Sequence, residues 1–107
     1  MKLKEKEIEA GYLYQTSSNQ YRAVLAIKGA FMIYAPSLEG VSSLEPMPFA
    51  NQPFKKCQIV TFGKKDYRPF ILNGLEAIKH PLNNAQLTEI IAQCNAQSAM
   101  TTLLAES

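Results

Sequence analysis

The chain has 107 residues, 47% of them hydrophobic and 19% charged, with a formal net charge of +2. These values fit a single globular domain and are too apolar for a disordered chain. One histidine (His80), one aspartate (Asp66) and two cysteines (Cys57 and Cys94) exclude multi-histidine metal sites, paired-aspartate chemistry and a disulfide-rich scaffold.

The opening run Met1-Lys-Leu-Lys-Glu-Lys-Glu-Ile-Glu9 lacks the apolar core of a signal peptide. The longest apolar stretch, residues 23–35, contains Lys28 and falls short of the roughly 20 residues that cross a bilayer. The expectation is a soluble, cytoplasmic protein with no membrane partner.

Residues 8–35 carry the pattern of an antiparallel meander. A strand over 12–16 is followed by the turn-forming cluster Ser17-Ser18-Asn19, whose short polar side chains bond their own backbone. A second strand spans 20–27, with Tyr21, Ala23, Leu25 and Ile27 on one face and Arg22, Val24 and Ala26 on the other. Lys28-Gly29 is a tight-turn signal, and 30–35 forms the third strand, with Phe31 and Ile33 opposing Met32 and Tyr34. Both faces are apolar, so the sheet is expected to curl or to be covered on both sides.

Residues 36–56 hold Pro36, Pro46, Pro48, Pro53 and Gly40, which disfavour a central strand or a long helix. The interspersed Val41, Leu44, Met47, Phe49 and Phe54 predict an ordered loop packed back onto the sheet. Beyond it, 57–62 reads as a strand, 63–66 as a hairpin turn and 67–72 as its partner, placed at a sheet edge by Pro69. Asn73-Gly74 is another turn, and 75–80 reads as a single helical turn stopped by Pro81. The C-terminal helix is predicted over 84–105. Asn83 and Gln86 have capping-box spacing, and Leu87, Ile90, Ile91 and Cys94 form one apolar stripe.

No catalytic constellation emerges. His80 is the sole imidazole, and no nucleophile signature surrounds it. Cys57, His80 and Cys94, separated by 23 and 14 positions, have no chelating spacing, so neither a metal nor another cofactor is expected. No phosphate-cradling glycine loop of the common kinds occurs. Charge, by contrast, is unevenly spread. Within 55–80, Lys55, Lys56, Lys64, Lys65, Arg68 and Lys79 face only Asp66 and Glu76, a balance of +4, whereas 81–107 carries only Glu89 and Glu106.

This distribution favours contact surfaces. The first reading is a non-enzymatic binding or adaptor protein that engages a protein or peptide through Tyr12, Tyr14, Tyr21, Tyr34 and Phe49 together with loop 36–53. The second is a nucleic-acid-binding module using Lys55, Lys56, Lys64, Lys65, Tyr67 and Arg68. The third is thiol chemistry at Cys57 or Cys94. The uncharged C-terminal helix, with Met100, Leu103 and Leu104, offers a surface for homodimerisation.

The stretch Gly11-Tyr-Leu-Tyr-Gln, Tyr21-Arg-Ala-Val-Leu-Ala-Ile27 and Phe31-Met-Ile-Tyr34 resembles the opening meander of small SH3-like barrels. It is similar to short proteins of mobile elements, such as integron cassettes and phages. The resemblance covers about 25 residues. It implies a strongly bent, partly open sheet whose loops bind, and it transfers no catalytic residue. The expected architecture is therefore one α+β domain over 1–107. A strongly curled antiparallel sheet of about five strands is covered by a C-terminal helix.

Overall fold

The computed structural model describes residues 1–50 and 52–105. The meander forms as its pattern dictates: β1 (Tyr12–Thr16), β2 (Tyr21–Lys28) and β3 (Phe31–Pro36) pair antiparallel in sequence order. Asn19 adopts φ 63° and Gly29 φ 59° in the two connecting turns, the left-handed conformation such tight reversals need.

The segment after the proline-rich loop differs from expectation. Lys55–Gln58 is a strand (β4) that pairs with β3, but Ile59–Gly63 is a short helix (α1) rather than the continuation of that strand. The β-branched run Ile59-Val60-Thr61 favours a strand locally. Tertiary packing overrides it. The Ile59 N–H donates to the Ala30 carbonyl at 2.9 Å, and a helical turn then buries Ile59, Phe62 and Gly63 together.

The hairpin predicted around 63–66 is consequently absent. Tyr67–Arg68 (β5) pairs with β1 instead. Phe70–Leu72 (β6) pairs with Leu75–Ala77 (β7) across Asn73-Gly74, whose φ values of 52° and 78° make the tight two-residue turn. Residues 75–80 are thus not helical, and His80–Pro81 (β8) returns to β1 beside β5.

The main sheet runs β4-β3-β2-β1-β5, with β8 also on β1. It is open and not strongly curled, unlike the partly closed barrel expected. Closure is not needed to hide its faces, because each face has its own cover. One bears Leu13, Ala23, Leu25, Ala26, Ile33 and Ala35, and it is covered by α2 (Asn84–Cys94), α3 (Gln97–Ala105) and the anchored loop residues Met47 and Phe49. The other bears Tyr14, Val24, Met32 and Tyr34, covered by Leu3 and Ile8, by Ile59 and Phe62 of α1, and by Tyr67. The buried residues thus form two clusters, one on each face of the sheet.

A bulge in β2 corrects the predicted faces. The register with β3 shifts between Val24 and Ala26, so Leu25 and Ala26 both lie on the aliphatic side and Ile27 moves to the aromatic side.

The predicted C-terminal helix starts as expected. The Asn83 side chain accepts the Gln86 N–H at 2.8 Å, and the Gln86 side chain accepts the Asn83 N–H at 3.0 Å. It is two helices, however, because Asn95 takes φ 61° and ends the first. Ile90, Cys94, Ala96 and Leu103 then all reach the aliphatic core. No helix among the described residues is long and apolar enough to cross a membrane.

Candidate interaction surface

The tyrosines expected to line a binding face are mostly interior. Tyr14 and Phe49 are fully buried, and Tyr21 and Tyr34 nearly so. They also divide between the two faces: Tyr14 and Tyr34 belong to the aromatic cluster, Tyr21 and Phe49 to the aliphatic one. The five residues therefore form no common groove, and only Tyr12 stays half-exposed, with the Lys79 ammonium 4.9 Å from its ring centroid. Loop 36–53 is likewise docked rather than free. The Phe49 N–H donates to Gln93 of α2 at 3.1 Å, and the Gly40 and Val41 N–H groups reach the β1–β2 turn.

Burial of phenols is allowed because backbone groups satisfy the hydroxyls. Tyr14 donates to the Glu7 carbonyl at 2.8 Å and accepts from the Glu9 N–H at 2.9 Å. Tyr67 donates to the Phe62 carbonyl at 2.6 Å. Phe62 is the hub of the cluster, with ring centroids of Tyr34, Tyr67 and Tyr14 at 5.0, 5.4 and 5.6 Å. Desolvation raises the Tyr14 phenol to about 12 and also raises Tyr34 and Tyr67.

Arg22 is the charged member of this face. Its guanidinium carbon lies 5.0 Å from the Tyr34 centroid, 5.7 Å from Phe62 and 6.0 Å from Tyr67. Nε donates to Gln20 at 2.8 Å and Nη1 to the Tyr67 hydroxyl at 3.2 Å. The pairing of aromatics with Arg22 was missed in the sequence. The signal was the period-two placement of Tyr14, Arg22 and Tyr34 on neighbouring strands.

The residues of the nucleic-acid reading scatter. Lys55 and Lys56 lie on β4, Lys64 and Lys65 follow α1, and Arg68 donates to Asn19 at 2.6 Å. These five cations are exposed, but Tyr67 is buried and cannot stack on a base. Their side chains point to both faces of the sheet, since Lys55 and Lys56 alternate across β4.

The cysteines also lie on opposite faces. Cys57 packs at the edge of the aromatic cluster and Cys94 in the aliphatic one. Desolvation pushes both thiols up, the reverse of what an activated thiolate needs. His80 packs edge-on against Phe70 at 5.7 Å. Among the described residues, no three His, Cys, Asp or Glu side chains are grouped to hold a metal ion.

Among the described residues, the two most exposed large apolar side chains lie on one hairpin. The β6–β7 ribbon is an excursion between the two short strands that cap the β1 edge, and it pairs only with itself. Phe70 fixes its root, stacked on Tyr21 at 6.4 Å. At its far end Ile71 is 66% exposed and Leu75 74% exposed. Cross-strand register puts Leu75 beside Leu72 on one side and Ile71 beside Glu76 on the other, so each side presents one large exposed apolar side chain. No family model matches this chain, and there is no significant match among curated protein sequences or solved structures.

Proposed function

We propose that this protein is a non-enzymatic binding module for another protein, and that hairpin β6–β7 is its contact element. The observation that carries the reading is the exposure of Ile71 and Leu75 on a ribbon anchored at its root by Phe70. Exposed large apolar side chains on an ordered projecting element cost solubility, and a partner that buries them recovers that cost. Because the two side chains project to opposite sides of the ribbon, the fitting partner offers a cleft that receives the tip rather than a flat patch. The net positive charge of 55–80 favours an acidic rim around that cleft.

A photo-crosslinking residue at position 71 tests this directly. The expected result is one dominant crosslinked partner from the source cell, lost when Leu75→Glu is added. Crosslinks no more specific than those from an identical probe at exposed Thr88 overturn it.

The exposure of Lys55, Lys56, Lys64, Lys65 and Arg68 favours a second reading, nucleic-acid binding. It predicts a salt-sensitive gel shift with single-stranded nucleic acid that Lys64→Glu/Lys65→Glu abolishes. Absence of a shift at low salt ends it.

A further inference from the structure

Arg22 is a cation set into an aromatic wall with part of its hydrogen-bonding capacity unspent. A guanidinium has five N–H donors in a planar fork. Two are used, by Gln20 and by the Tyr67 hydroxyl. Among the described residues Nη2 has no hydrogen-bond partner and no buried side-chain nitrogen or oxygen lacks one, so Nη2 is not fully buried. Nor does any described carboxylate form an ion pair with Arg22. Three rings and two hydrogen bonds hold the fork in one orientation, so little freedom is left to lose when an anion arrives.

A second cation stands next to it. Lys55 lies directly opposite Tyr34 in the β3–β4 register, so its side chain leaves the same face of the sheet. Arg22 packs on that same Tyr34 ring. Lys55 is exposed, and no described carboxylate pairs with it. The ring is therefore flanked by one held, forked cation and one exposed, compact cation. A single carboxylate would need only the fork. Two cations of different reach match an oxyanion with two charges and three free oxygens.

We propose that Arg22 and Lys55 form a shallow binding site for a phosphate monoester. The site is separate from hairpin β6–β7 and does not rest on its role. The chain has no tryptophan, and Tyr34 and Tyr67 touch the guanidinium, so tyrosine fluorescence reports occupancy.

The test titrates inorganic phosphate at constant ionic strength and follows tyrosine fluorescence and the Arg22 Nε–Hε resonance. A saturable response in the millimolar range is expected, with the Arg22 resonance moving. Lys55→Glu, a surface change that leaves the fold intact, is expected to weaken binding about tenfold or more. Lys64→Glu/Lys65→Glu is expected to leave it unchanged. A response that chloride reproduces, that Lys55→Glu leaves intact, or that never saturates overturns the proposal. An oligonucleotide without terminal phosphates that competes as well as a phosphate monoester overturns the assignment of the ligand class.

Discussion

The two faces of the sheet are buried by different means. The aliphatic face is closed by two C-terminal helices and a proline-rich loop, and its contacts are mainly alanine, leucine and isoleucine side chains, with Tyr21, Met47, Phe49 and Cys94 among them. The aromatic face is closed by the five-residue helix α1 and a few residues of the N-terminal segment, and its rings are tied down by hydroxyls bonded to backbone carbonyls and amides. Packing dominates the first, with the Phe49 N–H bond to Gln93 and the Gly40 and Val41 bonds to the β1–β2 turn docking its loop. The second has hydroxyls bonded to the backbone and a partly buried cation stacked on its rings, and these fix ring orientation where the cover is thin. Aromatic content in a strand therefore does not by itself mark a contact surface. What matters is whether the polar tip finds a partner inside.

Truncations that break this comparison give the largest effects. Tyr14→Ala is expected to cost about 3–5 kcal/mol and Leu103→Ala about 2–5 kcal/mol in chemical denaturation, since each empties a fully buried site. The faces separate on a subtler change. Tyr14→Phe keeps the ring but leaves the Glu9 N–H without its acceptor and the Glu7 carbonyl with Lys79 alone, for an expected loss of about 1–3 kcal/mol. A neutral Tyr14→Phe would mean that the hydroxyl bonds do not hold the aromatic face.

The N-terminal cover is tested at Gly63. The Leu3 N–H donates to the Gly63 carbonyl at 2.9 Å, and a Cβ at position 63 would stand 2.5 Å from the Leu3 carbonyl oxygen. Gly63→Ala is expected to cost about 1–3 kcal/mol and to loosen residues 1–8. Hydrogen exchange should rise at Leu3 and Ile8 while α2 and α3 stay protected. Equal loosening of both faces would show that they are not independently covered.

Alkaline pH distinguishes the faces again. Tyr14, Tyr34 and Tyr67 are raised in the folded protein, so the neutral phenols contribute stability that is fully present below pH 10. For Tyr14 that contribution is lost as pH rises from 10 through about 12. Phenolate absorbance of these three should develop late and together with unfolding. Their ionisation near pH 10 in a folded chain would contradict the burial.

At the helix start, Asn83→Ala removes the side-chain acceptor for the Gln86 N–H, with an expected cost of about 1 kcal/mol in thermal or denaturant unfolding. It loosens the cover of the aliphatic face alone.

Local chemistry made part of this legible in advance. The meander followed from period-two alternation and from Asn19 and Gly29 in turns, and the start of α2 from the spacing of Asn83 and Gln86. The rest is tertiary. Nothing in Ile59-Val60-Thr61-Phe62 announces a helix, because its stability comes from burying Ile59 and Phe62 against Tyr14 and Tyr34 across the sheet. The bulge at Leu25 shifts every later face in β2 without a glycine or proline to mark it. The buried hydroxyls of Tyr14 and Tyr67 find partners five to seven residues away only once the chain has folded. The exposed tip of β6–β7 was hidden by reading 67–72 as the partner of a strand that ends at Gln58 and pairs with β3 instead.

The hairpin should contribute least to stability and most to binding. In Ile71→Glu/Leu75→Glu, the melting temperature is expected to stay close to that of the native chain, because both side chains are already in water. Partner capture, compared quantitatively between the two proteins, is expected to fall to background. Undiminished capture by a folded double variant would contradict the assignment of the contact to this hairpin.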